Sequence, residues 1–78
     1  YLGVDGDTYY GKASGEVAEY GFAVANDDGS YQLYPAAGAS LSENAGIFGV
    51  TINGLPSGTT PVAYVIGLDG TFSTVANN

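Results

Sequence analysis

The fold is decided by residues 17–34, which read VAEYGFAVANDDGSYQLY. In the first half, Tyr20, Phe22 and Val24 alternate with small or polar residues, which is the period-2 pattern of a half-buried strand. Asp28 and Gly29 then separate this segment from a second short strand, and Asp-Gly between alternating segments is a strong hairpin signal. The stretch therefore predicts a β-hairpin.

The same alternation continues on both sides of the hairpin. With segments 17–25 and 31–34 it predicts six strands, the others being 8–13, 48–53, 62–68 and 71–75. Turns are predicted at 5–7, 55–58 and 69–70, and only residues 36–44 have a composition that allows a helical turn. Short strands separated by regular turns predict an all-β protein, a small antiparallel β-sandwich that forms one domain over residues 1–78.

The composition excludes several classes of function. The 78 residues include one Lys or Arg against eight Asp or Glu, which gives a net charge of −7. One basic side chain cannot neutralise a run of phosphates, so we predict no nucleic-acid partner. The absence of Cys and His excludes disulfides, thiolate nucleophiles and the usual zinc sites. No apolar run approaches the roughly 20 residues of a membrane helix, so we predict no membrane span.

Residues 48–60, FGVTINGLPSGTT, carry a resemblance to a known family. Followed by AYV at 63–65 and DGT at 69–71, they resemble the second half of fibronectin type III-like modules of bacterial extracellular proteins. The run EYGFAV at 19–24 is similar to a middle strand of the same modules. The resemblance implies an immunoglobulin-like sandwich and a secreted or cell-surface location.

The chain departs from that family in two respects. Thr60 and Pro61 stand where the family has a Tyr. Immunoglobulin-type sandwiches have seven or more strands in about 100 residues, whereas six are predicted here, so the N-terminal part is expected to be abbreviated. An incomplete sandwich leaves an open edge that a neighbouring chain can fill. We therefore expect a homo-oligomer or polymer.

Asp5 and Asp7 are the candidate metal ligands. They flank Gly6 in a turn and offer two carboxylates to Ca²⁺, which takes six to eight oxygen ligands. Two interpretations stand, an ordinary turn and a calcium site. No other cofactor is predicted.

Four tyrosines are the candidate contact residues: Tyr9, Tyr10, Tyr31 and Tyr34. Neighbouring positions on a strand point to opposite faces, and so do positions three apart. One of Tyr9 and Tyr10 is therefore expected in the core and the other at the surface, and Tyr31 and Tyr34 are expected on opposite faces. An exposed Tyr can pack within the sheet, contact another protein or stack on a sugar ring.

The glutamates are the candidates for a catalytic pair of carboxylates. Glu16 and Glu19 would face opposite sides of a strand, and no Arg, His or Trp accompanies them or Glu43. A small glycan-active enzyme remains the third interpretation. We predict that the protein is not an enzyme.

The leading hypothesis is a secreted, non-enzymatic structural protein, a subunit of a filament, pilus or surface layer. Neighbouring subunits would contact each other by pairing of edge strands and by packing of surfaces rich in Tyr, Ala and Gly. The chain begins at Tyr1 without Met, from which we expect a processed product or a piece of a longer protein. The alternative is a fibronectin type III-like spacer or carbohydrate-binding module of a larger secreted protein.

Overall fold

A computed structural model of the chain describes residues 3–13, 17–36, 46–56 and 58–75. Within these ranges the chain forms seven β-strands and no helix. The strands are β1 (Gly3–Asp5), β2 (Thr8–Lys12), β3 (Val17–Ala25), β4 (Tyr31–Pro35), β5 (Ile47–Thr51), β6 (Val62–Gly67) and β7 (Phe72–Thr74). All pairings are antiparallel. The all-β prediction is confirmed.

The six predicted strands are present, and the structure adds a seventh, β1. The prediction of six strands was one too few, because β1 has three residues and is too short to show alternation. Its pairing with β2 across the turn at Gly6, which has a φ of 62°, makes it a strand. With β1 the sandwich has seven strands. A missing strand is therefore no longer a reason to expect that a neighbouring chain completes the sandwich. The predicted helical turn at 36–44 lies outside the described residues except for Ala36.

The strands divide into two sheets. The three-stranded sheet has the order β1-β2-β5, and the four-stranded sheet has the order β4-β3-β6-β7. Three hairpins, β1–β2, β3–β4 and β6–β7, each stay within one sheet. β3, the longest strand, and β6 each pair on both sides and form the centre of the larger sheet.

The core lies between the sheets and is built around two phenylalanines. Phe22 of β3 and Phe48 of β5 come from different sheets, and their ring centroids are 5.5 Å apart. Tyr20 packs on Phe48 at 5.2 Å, and Tyr9 packs on Phe22 at 6.0 Å. On β3 and β5 the inward positions are the larger residues of the period-2 pattern, whereas on β6 the smaller set, Ala63 and Val65, faces the core.

Gly11 allows these rings to meet. It lies opposite Phe48 in the β2–β5 ladder. A Cβ added there would lie 2.9 Å from Cζ of Phe48 and 3.0 Å from Cζ of Phe22. Both rings belong to the close-packed interior, so any side chain at this position would displace them.

Candidate functional site

The four candidate tyrosines fall on three different surfaces. On β2, Tyr9 faces the core, whereas Tyr10 faces outward and is 39% exposed. On β4, Tyr34 lies opposite Phe22 and packs against the core, whereas Tyr31 is 43% exposed on the other face. The predicted placement of each pair on opposite faces is therefore confirmed. The structure does not bring the exposed members together, since Tyr10 and Tyr31 belong to different sheets.

Tyr10 lies on the outer face of the three-stranded sheet, beside a glycine. Its opposite residue in the ladder is Gly49, and an added Cβ at Gly49 would lie 3.1 Å from the Tyr10 ring. On the same face, the hydroxyl oxygens of Thr8 and Thr51 are hydrogen-bonded at 2.9 Å across the ladder. This face thus combines an aromatic ring with two paired hydroxyl groups.

Tyr31 belongs to an aromatic cluster on the outer face of the four-stranded sheet. The Phe72 ring lies 5.6 Å from the Tyr31 ring and 5.5 Å from the Tyr64 ring, to which it is nearly parallel at 26°. Tyr31 and Phe72 come from the two edge strands of this sheet, which in a flat four-stranded sheet would be about 14 Å apart. Their contact shows that the two edges curve towards each other over the outer face.

Tyr64 is fully buried although it points away from the core between the sheets. Its hydroxyl donates a hydrogen bond of 2.6 Å to Oε2 of Glu19. Burial raises the pKa of the Tyr64 hydroxyl well above its ordinary value, and the hydrogen bond and negative charge of Glu19 raise it further. This pairing gives Glu19 a structural contact, and Glu16 and Glu43 lie outside the described residues.

The contribution of Tyr64 and Phe72 to a surface cluster was missed at the level of sequence. Tyr64 follows the alternation of β6, but alternation does not tell which of two mixed faces is buried. Gly21 lies opposite Tyr64 in the β3–β6 ladder, and a Cβ added at Gly21 would meet the backbone of residues 34–36. The available signal was the heavier set of β6 side chains, Val62, Tyr64 and Ile66, which the ladder places together on the outer face.

Asp5 and Asp7 lie at the β1–β2 turn, and both are exposed. The backbone carbonyl of Asp7 accepts a hydrogen bond of 2.9 Å from the amide of Ile52, which ties this turn to the end of β5. Within the described residues no three acidic side chains come together as a metal-binding group. Calcium binding by Asp5 and Asp7 stays a prediction.

A cleft of about 370 Å³ opens at the end of the sandwich where the β3–β4 hairpin meets the segment after β5. The hairpin contributes Val24, Ala25, Asn26, Asp27, Gln32 and Tyr34, and the other wall consists of Asn53, Gly54, Leu55, Pro56 and Thr59. Its volume is within the range of small-molecule sites, roughly 300–1,000 Å³. The cleft combines an aromatic ring, apolar side chains, three amides and a carboxylate.

The same end of the molecule carries most of the described negative charge. Asp27 lines the cleft and Asp28 follows it, while Asp7 is bonded to Ile52, the residue before Asn53 of the cleft wall. Lys12 is the one basic residue of the chain and lies at the opposite end of β2 from Thr8 and the β1–β2 turn. The cleft is therefore in a negative electrostatic environment.

Comparison with protein-family models, with curated proteins and with solved structures found no match to the chain. In the part of the chain that the structure describes, no helix is long and apolar enough to cross a membrane.

Proposed function

We propose that the chain is a fibronectin type III-like module of an extracellular structural protein, and that it assembles with further copies of itself through strand β5. In this role the module is a non-enzymatic building block of a filament, pilus or surface layer. The observation that carries the proposal is the character of the β5 edge.

The order of the strands supports the assignment to this class of module. In the immunoglobulin-type sandwich, strands A, B, E and D form one sheet, and C, F and G form the other, with C′ added to the second sheet in variable-type members. The order β1-β2-β5 against β4-β3-β6-β7 has this division when the strands are lettered A, B, C, C′, E, F and G, with no strand D among the described residues. The extracellular location follows from the resemblance of residues 48–60 to such modules.

β5 is the edge strand that is least protected against pairing with another chain. β1 and β7 have three residues each, and β4 ends in Pro35, which cannot donate to a ladder. β5 has five residues, IFGVT, without a charge or a proline. Within the described residues β5 pairs with β2 on one side and with no strand on the other. Such an edge is a template for strand addition.

The distribution of charge also favours this edge. At a net charge of −7, copies of the chain repel each other, and the repulsion is weakest where carboxylates are absent. The described aspartates lie at hairpin turns, and Glu19 lies in the other sheet, so β5 carries none of them. Ile47 is 42% exposed and gives the edge an apolar side chain on the face that carries Tyr10 and Thr51, and its ladder partner is Lys12.

The test is the assembly state of an edge variant. Ile47→Lys places a charge on the β5 edge, and charged residues on edge strands prevent sheet-to-sheet association. Leu68→Lys is the matched control, because Leu68 is 69% exposed in the β6–β7 turn, away from that edge. Light scattering and negative-stain electron microscopy over a concentration series measure the assembly.

We expect the wild type and Leu68→Lys to assemble as concentration rises, and Ile47→Lys to stay monomeric. A wild-type chain that stays monomeric up to its solubility limit would overturn the proposal. Equal assembly of the two lysine variants would show that β5 is not the contact.

A further inference from the structure

Gln32 is a polar residue on the inner face of a sheet. It lies opposite Val24 in the β3–β4 ladder and two residues from Tyr34, so its side chain is in phase with the core-facing positions. Inner faces of a sandwich are normally apolar. Gln32 remains exposed because the sheets separate at this end and form the cleft. An inward polar side chain that stays accessible is suited to contacting a ligand.

The side chains of the cleft are suited to a ligand rich in hydroxyl groups. An amide offers both donors and acceptors, and a carboxylate adds acceptors, which together match neighbouring hydroxyls that donate and accept. The side chains of Gln32, Asn53 and Asp27 have no hydrogen-bond partner among the described residues, so these groups are available. Asn26 is held in place by a bond of 3.0 Å from its Nδ2 to Oγ of Ser30.

The apolar part of the lining completes the match. Tyr34 presents an aromatic ring with a polar end, and Leu55 and Pro56 lie on the opposite wall. A pyranose ring has an apolar C–H face and a rim of hydroxyls, so it needs both kinds of contact. A purely apolar ligand would leave the amides without partners, which costs binding free energy.

The charge of this end restricts the ligand to neutral sugars. Asp27 lines the cleft, and Asp7 and Asp28 are close by at the adjoining turns. The one basic residue, Lys12, lies at the other end of β2 and offers no counter-charge. A uronic acid, sulfate or phosphate would meet only negative charge here.

We propose that the cleft between the β3–β4 hairpin and residues 53–56 and 59 is a binding site for a neutral oligosaccharide, with Gln32, Asn53 and Asp27 contacting its hydroxyls and Tyr34 its ring face. This site adjoins the end of β5 at Thr51, whereas Ile47 lies at the other end of that strand. The site adds ligand binding to the proposed assembly role. An assembled array would then present one such site per copy.

The test is a titration of the ¹⁵N-labelled chain followed by NMR, which detects millimolar affinities. The probes are hexasaccharides of glucose, xylose, mannose and N-acetylglucosamine, with a hexamer of galacturonic acid as the anionic comparison. We expect at least one neutral probe to shift amide signals of residues 24–27, 32–34 and 53–56, and the anionic probe to shift none.

Gln32→Ala and Asn53→Ala are the variants, since both side chains are exposed and their loss leaves the core intact. Each removes hydrogen bonds to the sugar, so we expect each to weaken binding about 3- to 10-fold. Tyr10→Ala and Tyr31→Ala are the controls on the two outer faces, and we expect them to bind as the wild type does.

Three results would overturn the assignment: no shift with any neutral probe, shifts centred on Tyr10 or Tyr31, or equal binding of the anionic hexamer. The outcome is independent of assembly, because Ile47→Lys keeps the cleft intact. If a monomeric variant still binds sugar, the binding site in the cleft is confirmed, whether or not the chain assembles through β5.

Discussion

Two glycines on paired strands each lie opposite an aromatic residue, and they do so on opposite faces of the three-stranded sheet. Gly11 is opposite Phe48 on the inner face, and Gly49 is opposite Tyr10 on the outer face. An added Cβ would approach either ring to about the same distance, 2.9 Å at Phe48 and 3.1 Å at Tyr10. The two rings differ in their freedom to move, since Phe48 is buried and Tyr10 is exposed.

This difference gives a prediction for alanine at the two positions. We expect Gly11→Ala to lower the free energy of unfolding by about 1–3 kcal/mol, because the buried rings have no space to retreat. We expect Gly49→Ala to stay within about 1 kcal/mol of the wild type, because the Tyr10 ring can rotate into solvent. Urea unfolding at constant m-value measures both. Equal losses would contradict the packing argument.

At the scale of elements, the two hairpins of the four-stranded sheet are closed in the same way. In β3–β4, Oδ1 of Asp28 accepts bonds from the hydroxyl of Ser30 at 2.6 Å and from its amide at 3.0 Å. In β6–β7, Oδ1 of Asp69 accepts the amide of Thr71 at 3.0 Å. The hydrogen bonds from Ser30 lower the pKa of Asp28, and those from Thr71 lower the pKa of Asp69.

A lowered folded-state pKa makes each carboxylate a source of stability that depends on pH. The contribution is complete above the pKa of the unfolded chain and is lost as pH falls through the lower folded-state pKa. We expect the wild type to be more stable than Asp28→Asn at pH 6, and the difference to shrink below about pH 4. Urea midpoints between pH 6 and pH 2 measure it.

Asp69→Asn is the parallel variant in the second hairpin, and the same convergence at low pH is expected. Because both aspartates are at the surface, the asparagine variants should keep the fold. A stability difference between wild type and Asp28→Asn that does not change with pH would contradict the role of the ionised side chain.

At the scale of the whole molecule, the net charge is strongly negative, and much of the negative charge lies at one end. The net charge is −7, and Asp5, Asp7, Asp27 and Asp28 lie at turns at the cleft end of the sandwich. Their mutual repulsion lowers the stability of the folded state, because the folded chain holds these carboxylates closer together than the unfolded chain does. Salt reduces such a cost.

We therefore expect the thermal midpoint to rise as sodium chloride increases, since the screening length falls from about 10 Å at 0.1 M to about 3 Å at 1 M. Asp7→Asn combined with Asp27→Asn removes half of the four carboxylates at this end and should reduce the gain. Circular dichroism melts measure the midpoints. A midpoint that is independent of salt, or an unchanged gain in the double variant, would show that repulsion at this end is unimportant.

The sequence by itself determined the elements of this protein. The strands are encoded locally, because alternation in segments such as 17–25 and 62–67 and the Asp-Gly pairs between them act over a few residues. The same local rule placed Tyr9 and Tyr10, and Tyr31 and Tyr34, on opposite faces. Among the described strands only β1 was not predicted by this rule. It has three residues, which show no alternation, and it is a strand because it pairs with β2.

The tertiary structure decided what the elements build. The partner of each strand, the burial of Tyr64 beneath Phe72, and the opening between Gln32 and Asn53 depend on residues far apart in the chain. Sheet register and the separation of two sheets are set by the summed packing of many side chains, and no short segment contains that sum. For this reason the candidate site could be found only once the two sheets were placed together.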